Sequence, residues 1–107
     1  MQPSIRAQMA QRAVALYQPG QPLGPALAKA NRTALKNLAQ AAQSAEVLDE
    51  MVIVLKYQAA REYLPSVAAE ILLAELETLR QQPDPMHAFS YLMSHVVRLQ
   101  RSLETKP

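Results

Sequence analysis

Apolar residues recur at spacings of three and four along most of the chain, and prolines cut that pattern into five stretches. This spacing puts apolar side chains on one face of a helix, so each stretch is predicted helical. The first runs from Ser4 to Tyr17, after Pro3. Gln18 to Pro25, reading QPGQPLGP, ends it with three prolines and both glycines of the chain. The second helix is predicted from Pro25, a favoured first helical position, to Gln43. Ser44 is the expected N-cap of the third, whose first turns hold Glu46, Asp49 and Glu50, where the helix dipole favours acids. That helix carries MVIVLKYQAAREY as far as Tyr63. Pro65 and Ser66 open a fourth, to Arg80. After QQPDP, Asp84 as N-cap and Pro85 open the fifth, which continues to Leu103.

MVIVL (Met51 to Leu55) has strand propensity, but no turn signal lies within about ten residues on either side, which favours a buried helix. No internal repeat or low-complexity tract interrupts the pattern. The expected fold is all-α: a compact bundle of about five helices, with the third central because it is apolar nearly all round. Residues 1–25 form an N-terminal helix and a Pro/Gly linker, and residues 26–107 the helical bundle, a single domain overall. Whether the first helix packs on the bundle or swings free stays open.

Composition narrows the class. The chain has 107 residues, half of them apolar and 19% charged, enough for one hydrophobic core. It has no cysteine, which removes disulfides, thiolate metal sites and thiol nucleophiles. The longest apolar run is MVIVL, too short to span a bilayer, and the N-terminus does not read as a signal peptide. The expectation is a soluble, cytoplasmic protein with no membrane partner.

The net charge of +2 conceals a strong segregation. Residues 1–45 carry Arg6, Arg12, Lys29, Arg32 and Lys36 with no acid, a net +5. Residues 46–84 carry eight acids against Lys56, Arg61 and Arg80, a net −5. Such a distribution suits either a polyanionic partner or head-to-tail self-association.

Two helical faces concentrate cations. On the second helix, Leu27, Ala34, Leu35 and Leu38 point one way, and Lys29, Arg32 and Lys36 form a stripe on the other, a ridge that spaced phosphates could use. On the fifth, Phe89, Leu92, Met93, Val96, Leu99 and Leu103 make the apolar face. His87, Tyr91, Ser94, Arg98 and Arg101 share the opposite one, a mixture that offers RNA phosphate contacts and a stacking surface. A merely solvated face, or one that binds a protein, is the alternative in both cases. On the third helix, Tyr57, Arg61 and Glu50 share a side, and an internal ion pair is expected there.

No catalytic constellation is visible. His87 and His95 are eight residues apart with no carboxylate to complete a metal site, and there is no Gly-rich phosphate loop or nucleophile elbow. The expectation is no enzyme activity, no metal and no cofactor. LAQAAQSAEVLDEMVIVL has the cadence of a helix-turn-helix. Its would-be recognition helix is apolar and acidic, where a DNA-facing helix is polar and basic.

LKYQAAREY (Leu55 to Tyr63), the amphipathic helix after it and FSYLMSHVVRLQR (Phe89 to Arg101) together resemble the small subunit of type III CRISPR effector complexes. Thr33-Ala-Leu-Lys36 is similar to a Thr-x-x-Arg/Lys stretch of that family. The resemblance covers residues 26–101. Ala60 departs from a family glycine, and Ser94 to Arg98 replace the family's usual ending of the last helix. The small subunits of type I complexes are a second helical possibility. The resemblance implies a non-catalytic bundle that stacks in several copies along a ribonucleoprotein. Its partners would be guide RNA, target nucleic acid and the other effector subunits, with backbone contacts at Lys36, Lys56 and Arg61. A helical adaptor or dimerisation domain with no nucleic-acid role is the competing expectation.

Overall fold

In the computed structural model, which describes residues 3–104, prolines and caps divide the chain into six helices. These are α1 (Ile5–Leu16), α2 (Leu23–Ala28), α3 (Arg32–Ser44), α4 (Leu48–Ala60), α5 (Ser66–Leu79) and α6 (Pro85–Glu104), and no strand occurs among the described residues. The all-α bundle expected from the spacing is what forms, and MVIVL is helical within α4.

Three boundaries differ from expectation. The segment predicted as one helix from Pro25 is two, because Asn31 caps a new start: its side chain accepts from the Thr33 backbone N–H at 2.9 Å. Asparagine is among the strongest N-caps, and here it overrides an unbroken apolar spacing. Pro25 is the third residue of α2, where its missing N–H still removes no helical bond. Ser44 does not cap the following helix but ends α3, its hydroxyl donating back to the Gln40 and Ala41 carbonyls. At the start of α4 the Glu50 carboxylate accepts from the Glu46 backbone N–H at 2.9 Å. Asp84 does behave as a cap, accepting from the His87 N–H at 3.3 Å.

The helix at the centre is α6, which touches all five others, rather than the apolar MVIVL helix. Phe89, Leu92, Met93 and Val96 are fully buried on it. Burying side chains of this kind contributes about 1.5–3 kcal/mol each. On α4, Leu48, Met51 and Leu55 face the core, while Ile53 is 68% exposed. A sequence apolar on all sides is therefore packed on one side only.

The first helix lies along α6. Its polar anchor is Arg12, whose Nε and Nη2 donate to the two carboxylate oxygens of buried Glu75 on α5, each at 2.6 Å. Fork geometry satisfies both oxygens at once, and the hydrogen bond to Glu75 raises the Arg12 pKa. At the end of α1 the Tyr17 hydroxyl donates to Gln100 Oε1 at 2.7 Å, and Gln100 Nε2 donates to the Gly24 carbonyl at 3.1 Å. This buried amide ties the Pro/Gly segment to α6.

Candidate nucleic-acid interface

The seven cations singled out from the sequence are all exposed, and none forms an ion pair within the described residues. Of the three other arginines, Arg12 is consumed by Glu75 and Arg80 by Asp49 and Glu77, while Arg6 on α1 is exposed and forms no ion pair within the described residues. The uncommitted cations are thus a specific subset of the chain.

Their grouping differs from the single-helix ridge. The chain break at Asn31 leaves Lys29 on α2's C-cap, while Arg32 and Lys36 ride on α3. Arg101 comes from the last turns of α6, and the three side chains Arg32, Lys36 and Arg101 line one groove of about 630 Å³. Two basic faces that are far apart in sequence meet because α3 packs on α6. The groove floor is apolar, with Leu27 and Leu35, and Glu104 stands on its edge as a single opposing charge. The groove lies at the α3 N-terminus, where the helix dipole adds to the attraction for an anion. Lys29, Lys56 and Arg98 are solvent-exposed but do not line it.

A second groove, about 530 Å³, opens on the other side of the α3 start, and Asn31 lines both. Its walls are Tyr57, 56% exposed, and Tyr63, with Ile53 beside them. Arg61 does not pair with Glu50 as expected. Its guanidinium carbon lies 6.0 Å from the Tyr57 ring centre and 5.8 Å from that of Tyr63. Its Nη2 donates to the Tyr63 hydroxyl at 3.4 Å, and this bond is the first cause of a raised Arg61 pKa.

Backbone geometry puts Tyr63 there. The turn after α4 closes with Tyr63 N–H donating to the Gln58 carbonyl and Glu62 N–H to that of Ala59, a Schellman motif. Glu62 holds its left-handed position, with φ 62°, although glycine is the usual occupant. The Tyr63 carbonyl in turn accepts from the Asn31 N–H at 2.8 Å, so the turn and the α3 cap are bolted together. Within the groove, Gln58 is 5% exposed, and its Nε2 donates to the Ala34 carbonyl at 3.3 Å. Its Oε1 is buried and has no partner.

On α6, Tyr91 is not the free stacking surface expected of it. It is part of the packing and stacks on His87, ring centres 4.7 Å apart. His87 also faces Asp84 at 3.4 Å. The exposed aromatics that matter are Tyr57 and Tyr63. Among the described residues, no three His, Asp or Glu side chains gather as metal ligands would, and no helix is long and apolar enough to cross a membrane. No protein-family model, curated protein or solved structure matches the chain.

Proposed function

We propose that this chain is a non-catalytic helical subunit that holds a nucleic-acid backbone in the Arg32–Lys36–Arg101 groove. The observation that carries the reading is the convergence of Arg32 and Lys36 from α3 with Arg101 from α6 on one concave surface with an apolar floor. Guanidinium forks and an ammonium, free of internal carboxylate partners, are the groups that phosphates recruit. The sequence resemblance to CRISPR small subunits agrees with this role. In that setting the partners are guide RNA, target strand and the larger effector subunits, in the cytoplasm.

One copy neutralising three phosphates gives a single-strand salt slope of only about −2, so affinity at physiological salt depends on several copies side by side. The test is fluorescence anisotropy with a labelled single-stranded RNA across a salt series. The triple variant Arg32→Glu, Lys36→Glu, Arg101→Glu is expected to lose binding while keeping its circular dichroism spectrum and melting curve, because all three side chains are exposed. Undiminished binding in the folded triple variant would eliminate the groove. Native purification then asks the finer question: short RNAs sharing one repeat-derived end, with larger protein partners, support the effector assignment.

The second reading, a protein-binding adaptor, draws on Val47, the α4 N-cap, and Ile53 on α4, apolar side chains 55% and 68% exposed. It predicts retention of protein but no RNA.

A further inference from the structure

We infer that the groove between α3 and α4 takes one unstacked nucleobase of the strand whose phosphates lie in the neighbouring basic groove, an inference that rests on the nucleic-acid reading above. Four features of the groove converge on that ligand. Tyr57 and Tyr63 supply exposed ring surface, and a base stacks on such rings whatever its identity. Arg61 lies within about 6 Å of both ring centres and brings a cation to the same edge. Asn31, Thr33 and Asn37 line the opposite side with short amide and hydroxyl groups, the complement of a base edge rather than of an aliphatic side chain.

The fourth feature is Gln58. Its Nε2 is committed to the Ala34 carbonyl, which can only accept, and this fixes the amide orientation. Oε1 is then the one buried side-chain oxygen or nitrogen among the described residues with no hydrogen-bond partner. A buried acceptor left unpaired destabilises the structure, and a ligand that supplies an N–H donor relieves that cost. Every nucleobase of RNA carries an N–H on its Watson–Crick edge. Oε1 therefore suits a base of any sequence that stacks on a tyrosine of the same groove.

The two grooves share Asn31 and flank the first turn of α3, so one strand can cross that turn with its phosphates on one side and a base turned into the other. The strained Glu62 turn fits this design. It is the only non-glycine left-handed residue among those described, and Tyr63, which lines the groove with Tyr57, follows it directly. Local strain at a site that positions a ligand-facing side chain is where such conformations collect.

The experiment compares a labelled oligouridylate with the same backbone carrying abasic sites, titrated into the full chain and into Tyr57→Ala and Tyr57→Phe. The wild type is expected to prefer the base-bearing strand roughly ten-fold. Tyr57→Ala removes the preference, Tyr57→Phe restores it, and neither changes the salt slope, which belongs to the basic groove. Equal binding of both strands with a slope of about −2 overturns the base site and leaves the phosphate groove standing. Binding of neither strand overturns both. A Tyr57→Ala variant that keeps its base preference but loses self-association in sedimentation makes the groove a protein contact and also overturns the inference.

Discussion

Glu62 sits in the left-handed region with φ 62°, where a side chain crowds its own carbonyl and costs roughly 1–2 kcal/mol. Glycine at that position removes the clash, although its freer unfolded chain takes back part of the gain. Glu62→Gly is expected to stabilise the fold by about 0.5–1 kcal/mol, a rise in melting temperature of roughly 3–6 °C for a domain of this size. Thermal unfolding followed by circular dichroism measures it, and a lower melting temperature would show that the glutamate side chain itself holds the turn. Nothing in the residue types marks position 62, because the glycine that normally announces such a turn is absent. The polar residues of the core were more legible. Gln58 continues the spacing of Leu48, Met51 and Leu55; Glu75 follows Ala68 and Leu72; Gln100 follows Phe89, Met93 and Val96. Each is a polar group on an apolar stripe, and each is buried. Those exceptions mark Gln58, Glu75 and Gln100 as buried polar groups that need partners, without naming the partners.

At the scale of the helices, the spacing of apolar residues foretold the helical class and five segments, merging α2 with α3, but not which helix packs against the most neighbours. Hydrophobicity suggested α4, whereas α6 contacts all the others, because twenty residues give it the length to do so. Whether α1 docks was not legible at all, since it depends on polar contacts between residues more than sixty apart: Arg12 with Glu75, and Tyr17 with Gln100. The Tyr17 contact makes docking sensitive to base. Burial, and secondarily the negative charge of Glu104, raises the Tyr17 pKa above the ordinary value near 10. The folded state therefore favours the neutral phenol more strongly than the unfolded chain does. Its contribution is complete below pH 10 and is lost progressively above it. Tyr17→Phe is expected to cost about 1 kcal/mol at neutral pH, because Gln100 Oε1 loses its donor. Above pH 10 the stability of the wild type should fall more steeply than that of the variant. Urea midpoints from pH 7 to pH 11 for both proteins test this, and parallel curves would mean that Tyr17 ionises freely in the folded state.

Over the whole molecule, the charge segregation read from the chain survives the ion pairs, with only Arg12–Glu75 joining the basic segment to the acidic one. Arg80, one of the three cations of the acidic segment, is held by Asp49 and Glu77, while Glu46, Glu70 and Asp84 remain exposed. The basic grooved surface carries Arg32, Lys36 and Arg101 against one carboxylate, Glu104. Glu46, Asp49 and Asp84 line a groove with Arg80, and a basic groove with an acidic one on the same chain favours a heterologous contact, which repeats along a line instead of closing into a two-fold dimer. Exposed charges screen strongly, with a Debye length of about 10 Å at 0.1 M salt and 3 Å at 1 M. Sedimentation velocity is therefore expected to show concentration-dependent association at low salt that disappears as salt rises toward 1 M. The Arg32→Glu, Lys36→Glu, Arg101→Glu variant should lose it even at low salt. The apolar alternative makes the opposite prediction. Association through Val47 and Ile53 would persist in high salt, survive the charge reversal and vanish with Ile53→Ser, because burial of apolar surface does not depend on screening. Salt therefore separates a chain that lines up along a polyanion from one that pairs through a greasy face, and a single dilution series distinguishes them.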